Sequence, residues 1–280
     1  MLIVIGDLVA DLIVLGGSAI ERGTDNPAHV RLTRGGSAAN VAVAASARHP
    51  VRFIGRVGDD TLGRTLVREL EDAGVEVRVQ RSGRTGAIVV LVDALGERTM
   101  ITDRGAAAEL EPLDESWLAG ATWAHLPLYG FAAATSRAAV LDAAGILASR
   151  GVPVSLDLSS VATMRDLGAE LVADIIGRVR PAVVFANADE DALATEMGVA
   201  PPASGVYVVK RGGDPVVVQA GGGRSDVPVE RVPDVLDSTG AGDAFAAGYI
   251  LAALGGAPAH ESARAGSALA VSALRRAGAL

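Results

Sequence analysis

Cysteine is absent from this 280-residue chain, which excludes disulfides, thiolate metal sites and a cysteine nucleophile. The four histidines, His29, His49, His125 and His260, are scattered without zinc-ligand spacing. His125 ends an apolar run, where a core histidine is the simpler reading and a substrate contact the alternative. Aromatics make up 3% of the chain, so a base-stacking platform has few sources beyond Trp123, Tyr129 and Phe131. Lysine occurs once, at Lys210. No apolar run is long enough to span a bilayer, and Asp7 and Asp11 interrupt an apolar N-terminus that lacks a basic leader, so a soluble cytoplasmic chain is expected. A net charge of −8 argues against nucleic acid or an anionic membrane as partner. The G-x-x-x-x-G-K-[ST] loop is also missing, which excludes a P-loop nucleotide site.

What is present is alternation. Buried-strand patterns at 2–5, 51–57, 122–126, 152–157, 182–185 and 206–209 are separated by helical patterns at 61–73, 132–150, 169–179 and 189–197. This order implies an α/β fold: a doubly wound, mostly parallel sheet flanked by helices, with ligands at the carboxyl ends of the strands. Two stretches break the order. Residues 12–34 and 75–103 carry β-type runs joined by turns, so the expected division is a main domain of 1–11, 35–74 and 104–280 with a small β unit of 12–34 and 75–103.

Near the C-terminus, Asp237-Ser238-Thr239-Gly240-Ala241-Gly242-Asp243-Ala244-Phe245 precedes an Ala-rich helix with Phe245, Tyr249 and Ile250 at core spacing. The glycines open that helix, where unpaired N–H groups and the positive end of the dipole hold a phosphate. Asp243 falls in the first turn, where the dipole is expected to keep it ionised and able to take a proton from a hydroxyl. An anion turn beside a carboxylate base suits phosphoryl transfer. The alternative is an ordinary cap of a structural helix. Phe245 stands where a dinucleotide fingerprint would need its third glycine.

A second glycine turn, Gly35-Gly36-Ser37-Ala38-Ala39-Asn40, opens another helix and is followed by Phe53-Ile54-Gly55-Arg56-Val57-Gly58-Asp59-Asp60. Paired glycines admit a close backbone approach, and Asn40 offers a polyol both a donor and an acceptor. A glycine-ended strand entering a buried helix reads the same way. Asn187-Ala188-Asp189-Glu190 has the spacing of a capping box.

Together these segments resemble the signatures of the ribokinase-like sugar kinases, the PfkB carbohydrate kinases. The C-terminal string matches each fixed position of D-[ST]-x-G-A-G-D-x-F, and the resemblance covers almost the whole chain. It implies an ATP-dependent kinase of a small sugar or sugar-like alcohol, with Asp243 as base and Gly240, Ala241 and Gly242 as the anion hole. It implies acceptor contacts from Asp11, Gly35, Gly36 and Asn40. On the nucleotide side it implies Asn187, Lys210, Gly212, Thr239 and Gly242. Asn187 and Glu190 would hold Mg2+, largely through water, and Asp237 and Thr239 a monovalent cation such as K+. The small β unit would be a lid over the sugar, whose exposed face pairs with a second copy to give a homodimer.

The acceptor stays open. Relatives act on ribose, fructose, fructose phosphates, ketodeoxygluconate or nucleosides. Leu126-Pro127-Leu128-Tyr129 departs from the acidic residue that ribokinases tend to carry there, and Asp157-Leu158-Ser159-Ser160 lacks the Asn and Arg of many fructokinase and ketodeoxygluconate kinase relatives. A nucleoside kinase and a catalytically silent sugar or nucleotide sensor are the alternatives; retention of Asp243 favours an enzyme.

Overall fold

The structure is a computed structural model, and it describes residues 1–17, 20–93, 98–202, 204–233 and 239–275. Strand β1 (Leu2–Ile5) is buried at each of its four residues. Such a run needs cover on both faces. Ile3 and Ile5 enter one apolar cluster and Leu2 and Val4 the other, as the two-residue period of a strand requires. Around β1 the large sheet has the order β13-β12-β11-β10-β9-β8-β1-β4-β5.

The parallel part comprises β4 (Val51–Val57), β5 (Glu76–Arg81), β8 (Trp123–Pro127), β9 (Val154–Asp157), β10 (Val183–Asn187) and β11 (Val206–Arg211) together with β1. Beyond it, β12 (Asp214–Ala220) and β13 (Gly223–Val227) add antiparallel. One face is covered by α3 (Ala134–Ser149), α5 (Ala169–Val179) and α6 (Ala188–Glu196), through Leu147, Ile175 and Leu193. The other is covered by α1 (Ser37–Ser46), α2 (Thr61–Asp72), α7 (Ala241–Leu254) and α8 (Ala259–Leu274), through Val41, Leu66, Tyr249 and Ala263. The short α4 (Val161–Leu167) follows β9.

A second sheet has the order β3-β2-β6-β7, formed by β2 (Val9–Gly17), β3 (His29–Gly35), β6 (Thr85–Asp93) and β7 (Arg98–Gly105). Residues 75–81 do not join it as the sequence suggested. Instead β5 pairs in parallel with β4, Phe53 opposite Val77 and Gly55 opposite Val79. The reason is the intervening α2, a helical crossover that returns the chain parallel to the same sheet. The sequence pattern also left the β12–β13 hairpin and α8 unassigned.

The two faces of the smaller sheet differ. Asp11, Ile13 and Leu15 of β2 face a cavity, as do Ile88, Val90 and Met100 of β6 and β7. On the opposite face Leu12 lies beside Leu32 and Val89, and Val14 beside Val30 and Leu91. Val30, Leu32 and Ile101 are 59%, 58% and 60% exposed there. Among the described residues no helix is long and apolar enough to cross a membrane.

Candidate active site

One cavity of about 870 Å3 lies between the smaller sheet and the carboxyl ends of β1, β9, β10 and β11. Gly240 is left-handed (φ 74°, ψ 0°) and turns the chain into α7, so the first-turn N–H groups of α7 lack partners within the helix. Gly240, Ala241, Gly242 and Asp243 all line the cavity. A Cβ on Gly242 would sit 3.4 Å from Lys210 Nζ.

Asp243 is held at both oxygens by the first turn of α1. Ser37 Oγ donates to its Oδ1 at 2.7 Å, and Asn40 Nδ2 to its Oδ2 at 3.0 Å. Burial pushes the Asp243 carboxyl up to about 6; the bonds from Ser37 and Asn40 oppose the rise, Asp157 adds to it, and Lys210 opposes it. Desolvation thus works against the ionised form that the helix dipole favours, but a carboxyl titrating near 6 is still mostly ionised at neutral pH.

Asn40 is also committed on its other side, its Oδ1 accepting from Arg34 Nη1 at 3.0 Å. It lines the cavity with both amide atoms already bonded within the protein. Gly35 has a different role from direct ligand approach. A Cβ there would lie 2.1 Å from Asp11 Oδ1, so its lack of a side chain admits the Asp11 carboxylate. Gly36 (φ 102°) would likewise bring a Cβ within 2.4 Å of the Asp7 carbonyl oxygen. Asp11 is 7% exposed, and its Oδ1 has no hydrogen-bond partner. Burial, then the neighbouring Asp7, pushes it up to about 6 against the charge of Arg34. Asp11 also lines the cavity, and a buried carboxylate with spare acceptor capacity there fits a ligand hydroxyl.

At the other end of the cavity, Asn187 and Glu190 form a full capping box at the start of α6: Glu190 N donates to Asn187 Oδ1 at 2.9 Å, and Asn187 N and Nδ2 donate to Glu190 at 2.8 Å each. Glu190 is 2% exposed, and burial followed by the charge of Asp157 pushes its carboxyl up to about 7, with Lys210 opposing. Lys210 pairs with Asp157 at 2.7 Å; burial would lower its pKa, but Asp157 and Glu190 together raise it. The lone lysine is therefore a paired, mostly buried cation. Gly212 (φ 59°) and Thr239 also line the cavity, while Asp237 lies outside the described residues.

Four residues that the sequence reading did not single out belong to this constellation: Asp7, Ser37, Arg104 and Asp157. Asp157 ends β9 and Asp7 follows β1, the strand edge where ligands were expected, and that position is the signal that could have found them. Arg104 of β7 pairs with Asp7 at 2.8 Å and lies 4.0 Å over the Tyr129 ring. Of the three aromatics considered as platforms, Tyr129 alone lines the cavity. Trp123 donates to Ser155 Oγ at 3.0 Å in the core, and Phe131 is fully buried. His125 is buried with Nδ1 at 2.9 Å from Ser155 Oγ and does not line the cavity; burial pushes it down to about 4, so it is neutral at ordinary pH.

A glycine turn at a helix N-terminus, a carboxylate in that helix's first turn and a second buried carboxylate thus line one cavity, the set of groups that phosphoryl transfer calls for. Comparison with known proteins agrees. The pfkB family carbohydrate kinase description matches residues 1–280, and the chain belongs to that family. It is 36% identical over 239 residues to an ATP-dependent ribose-1-phosphate kinase of Halopiger xanaduensis, covering 81% of this chain and 76% of that one. With a fructokinase of Klebsiella pneumoniae the identity is 30% over 253 residues, covering 85% and 82%. In fold it is similar to the crystal structure of Anopheles gambiae adenosine kinase in complex with P1,P4-di(adenosine-5) tetraphosphate, with a TM-score of 0.84 at 22% identity over 99% of this chain and 96% of that one. The protein is a carbohydrate kinase, using ATP to phosphorylate a sugar or nucleoside.

Proposed function

We propose that Asp243 is the base of this kinase and that the Gly240–Gly242 turn binds the transferring phosphoryl group. The observation that carries the reading is the position of Asp243 in the first turn of α7, beside first-turn N–H groups and facing the cavity. In the step, Asp243 takes the proton of the acceptor hydroxyl as its oxygen bonds to the γ-phosphorus. The bond from that phosphorus to the β,γ-bridging oxygen breaks, and ADP leaves. First-turn N–H groups stabilise the charge on the transferring oxygens. Asp11, which lines the cavity, orients the acceptor by accepting a hydroxyl hydrogen bond. Lys210, Gly212, Thr239, Asn187 and Gly242 line the nucleotide end.

Magnesium fits this site as a hydrated ion. Among the described residues no three acidic or histidine side chains converge as direct ligands, yet Glu190 and Asp157 share buried negative charge. Asn187 and Glu190 would hold the ion through water, and when bound it would neutralise phosphate charge. A monovalent cation beside Asp237 and Thr239, the lid role of the smaller sheet and a cytoplasmic site of action belong to the same reading, as does a homodimer through the exposed apolar face at Val30, Leu32 and Ile101.

A nucleoside as acceptor draws on a separate observation: Ile13, Leu15, Ile88, Val90, Val92 and Met100 give the cavity an apolar wall suited to a base. The deciding experiment follows ATP consumption against free sugars, sugar phosphates, sugar acids and nucleosides, with Mg2+ and with K+ or Na+. Turnover confined to one class names the acceptor. Tight ligand binding with no turnover of any class would replace the kinase by a sensor.

A further inference from the structure

The segment from Arg34 to Asn40 is bonded to the base more extensively than to the open cavity. Both oxygens of Asp243 are taken by side chains of this segment, Ser37 on Oδ1 and Asn40 on Oδ2. The amide of Asn40 is fixed in its turn, because Arg34 Nη1 donates to its oxygen and so leaves the nitrogen to face Asp243. Arg34 is the next-to-last residue of β3 and is 7% exposed.

We infer that Ser37 directly, and Arg34 through Asn40, are positioning residues that fix the Asp243 carboxylate and favour its ionised form. This rests on the reading of Asp243 as the base. The surroundings make such a device necessary. Asp243 is desolvated and meets the negative charge of Asp157 at the end of β9, with Lys210 of β11 and Arg34 of β3 as the opposing cations. Asp11 of β2 and Tyr129, after β8, also feel its charge, and Glu69 of α2 faces Arg34. A carboxylate in that setting drifts towards its protonated form unless donors hold the charged one. Ser37 and Asn40 donate to it from their side chains, and they reach it because the Gly35-Gly36 turn brings α1 against α7. A protonated Asp243 could not accept the acceptor's proton, so these donors act on rate through ionisation rather than through binding.

The test is the pH dependence of kcat/KM for the acceptor in wild type, Ser37→Ala, Arg34→Gln and Arg34→Lys, with Asp243→Asn measured alongside. Removing a donor to the charged form, or a nearby cation, should move the acid limb up by about one pH unit in Ser37→Ala and Arg34→Gln. The alkaline plateau should stay within several-fold of wild type and the KM for ATP should not change. Arg34→Lys should lie between. Asp11 and Glu190 titrate in the same range, but Ser37 bonds to neither, so a shift shared by the two variants belongs to Asp243. If Arg34→Gln does not fold, Ser37→Ala decides alone. An unmoved acid limb, with rates lowered equally at every pH or with the acceptor KM alone raised, overturns the inference while an inactive Asp243→Asn leaves the base in place. Near wild-type turnover of Asp243→Asn removes the base itself.

Discussion

Arg104 Nη1 lies 2.8 Å from Asp7 Oδ2, which ties β7 of the smaller sheet to the link between β1 of the larger sheet and β2. Both residues are mostly buried, with side chains 19% and 6% exposed, so removing either partner would leave an uncompensated buried charge. The pair fixes the smaller sheet over the cavity floor, with Tyr129 stacked beneath the guanidinium. Arg104→Gln should therefore loosen that closure. The expected result is a higher ratio of acceptor-independent ATP hydrolysis to phosphoryl transfer, by roughly tenfold or less, the reach of a pair of this size. Unchanged partitioning would show that the pair does not control access of water.

Asp243→Asn keeps the shape of the side chain and loses the proton acceptor. It should lower kcat by roughly 10²–10⁴-fold with the fold intact by circular dichroism. Wild-type turnover would end the assignment of the base.

Asp11→Ala removes the unpartnered acceptor. The acceptor kcat/KM should fall by roughly 1–3 kcal/mol in free-energy terms while the KM for ATP stays the same. Asn40→Ala should differ, lowering kcat as well, since its amide is bonded to Asp243. A loss of ATP affinity alone in Asp11→Ala would move the acceptor site elsewhere.

Gly242→Val places a branched side chain against Lys210 Nζ in the turn that should meet phosphate. The KM for ATP should rise about tenfold or more while the melting temperature changes little. Unchanged ATP use would make the turn merely structural.

Stability should also report the buried carboxyls. Asp11 and Asp243 are raised from 3.8 to about 6, and Glu190 from 4.5 to about 7. Groups with raised folded pKa values stabilise the fold when protonated, so their contribution is complete below about pH 4 and is lost as pH rises through about 6 to 7. The melting temperature of the ligand-free protein should decline across that window, and Asp11→Asn should flatten part of the decline. Asp60 and Glu76, whose carboxyls are lowered, act in the opposite sense at more acid pH. A curve in Asp11→Asn identical to wild type would show that Asp11 titrates normally.

Much of the fold was legible because a helix between two strand patterns specifies a parallel neighbour, and the chain repeats that unit. The misplacement of β5 came from weighing its alternation above the α2 crossover that precedes it. At the site, the two glycine turns were visible as strings, and the structure brings Asp11, Asn40, Glu190, Lys210 and Asp243 to one cavity. What local pattern could not supply was contact across the chain. Ser37 and Asp243 are 206 residues apart in sequence, and nothing in the spacing of either motif predicts their bond. The rise in the Asp243 pKa was hidden for the same reason, since it comes first from burial and then from the balance of Ser37, Asn40, Asp157 and Lys210, all brought in from distant parts of the chain. Trp123 and Phe131 were visible as aromatics, but which face of β8 and its following turn meets the core is set by packing.

Because Lys210 is the single lysine of the chain, its ion pair with Asp157 is also a chemical handle. An amine-acylating reagent meets just one other amine, at the N-terminus, and the Lys210 amine is shielded until it leaves its partner and loses a proton. The rate of its modification, read by mass spectrometry on the intact protein, therefore measures how often that end of the cavity opens, without any label having to be engineered into it.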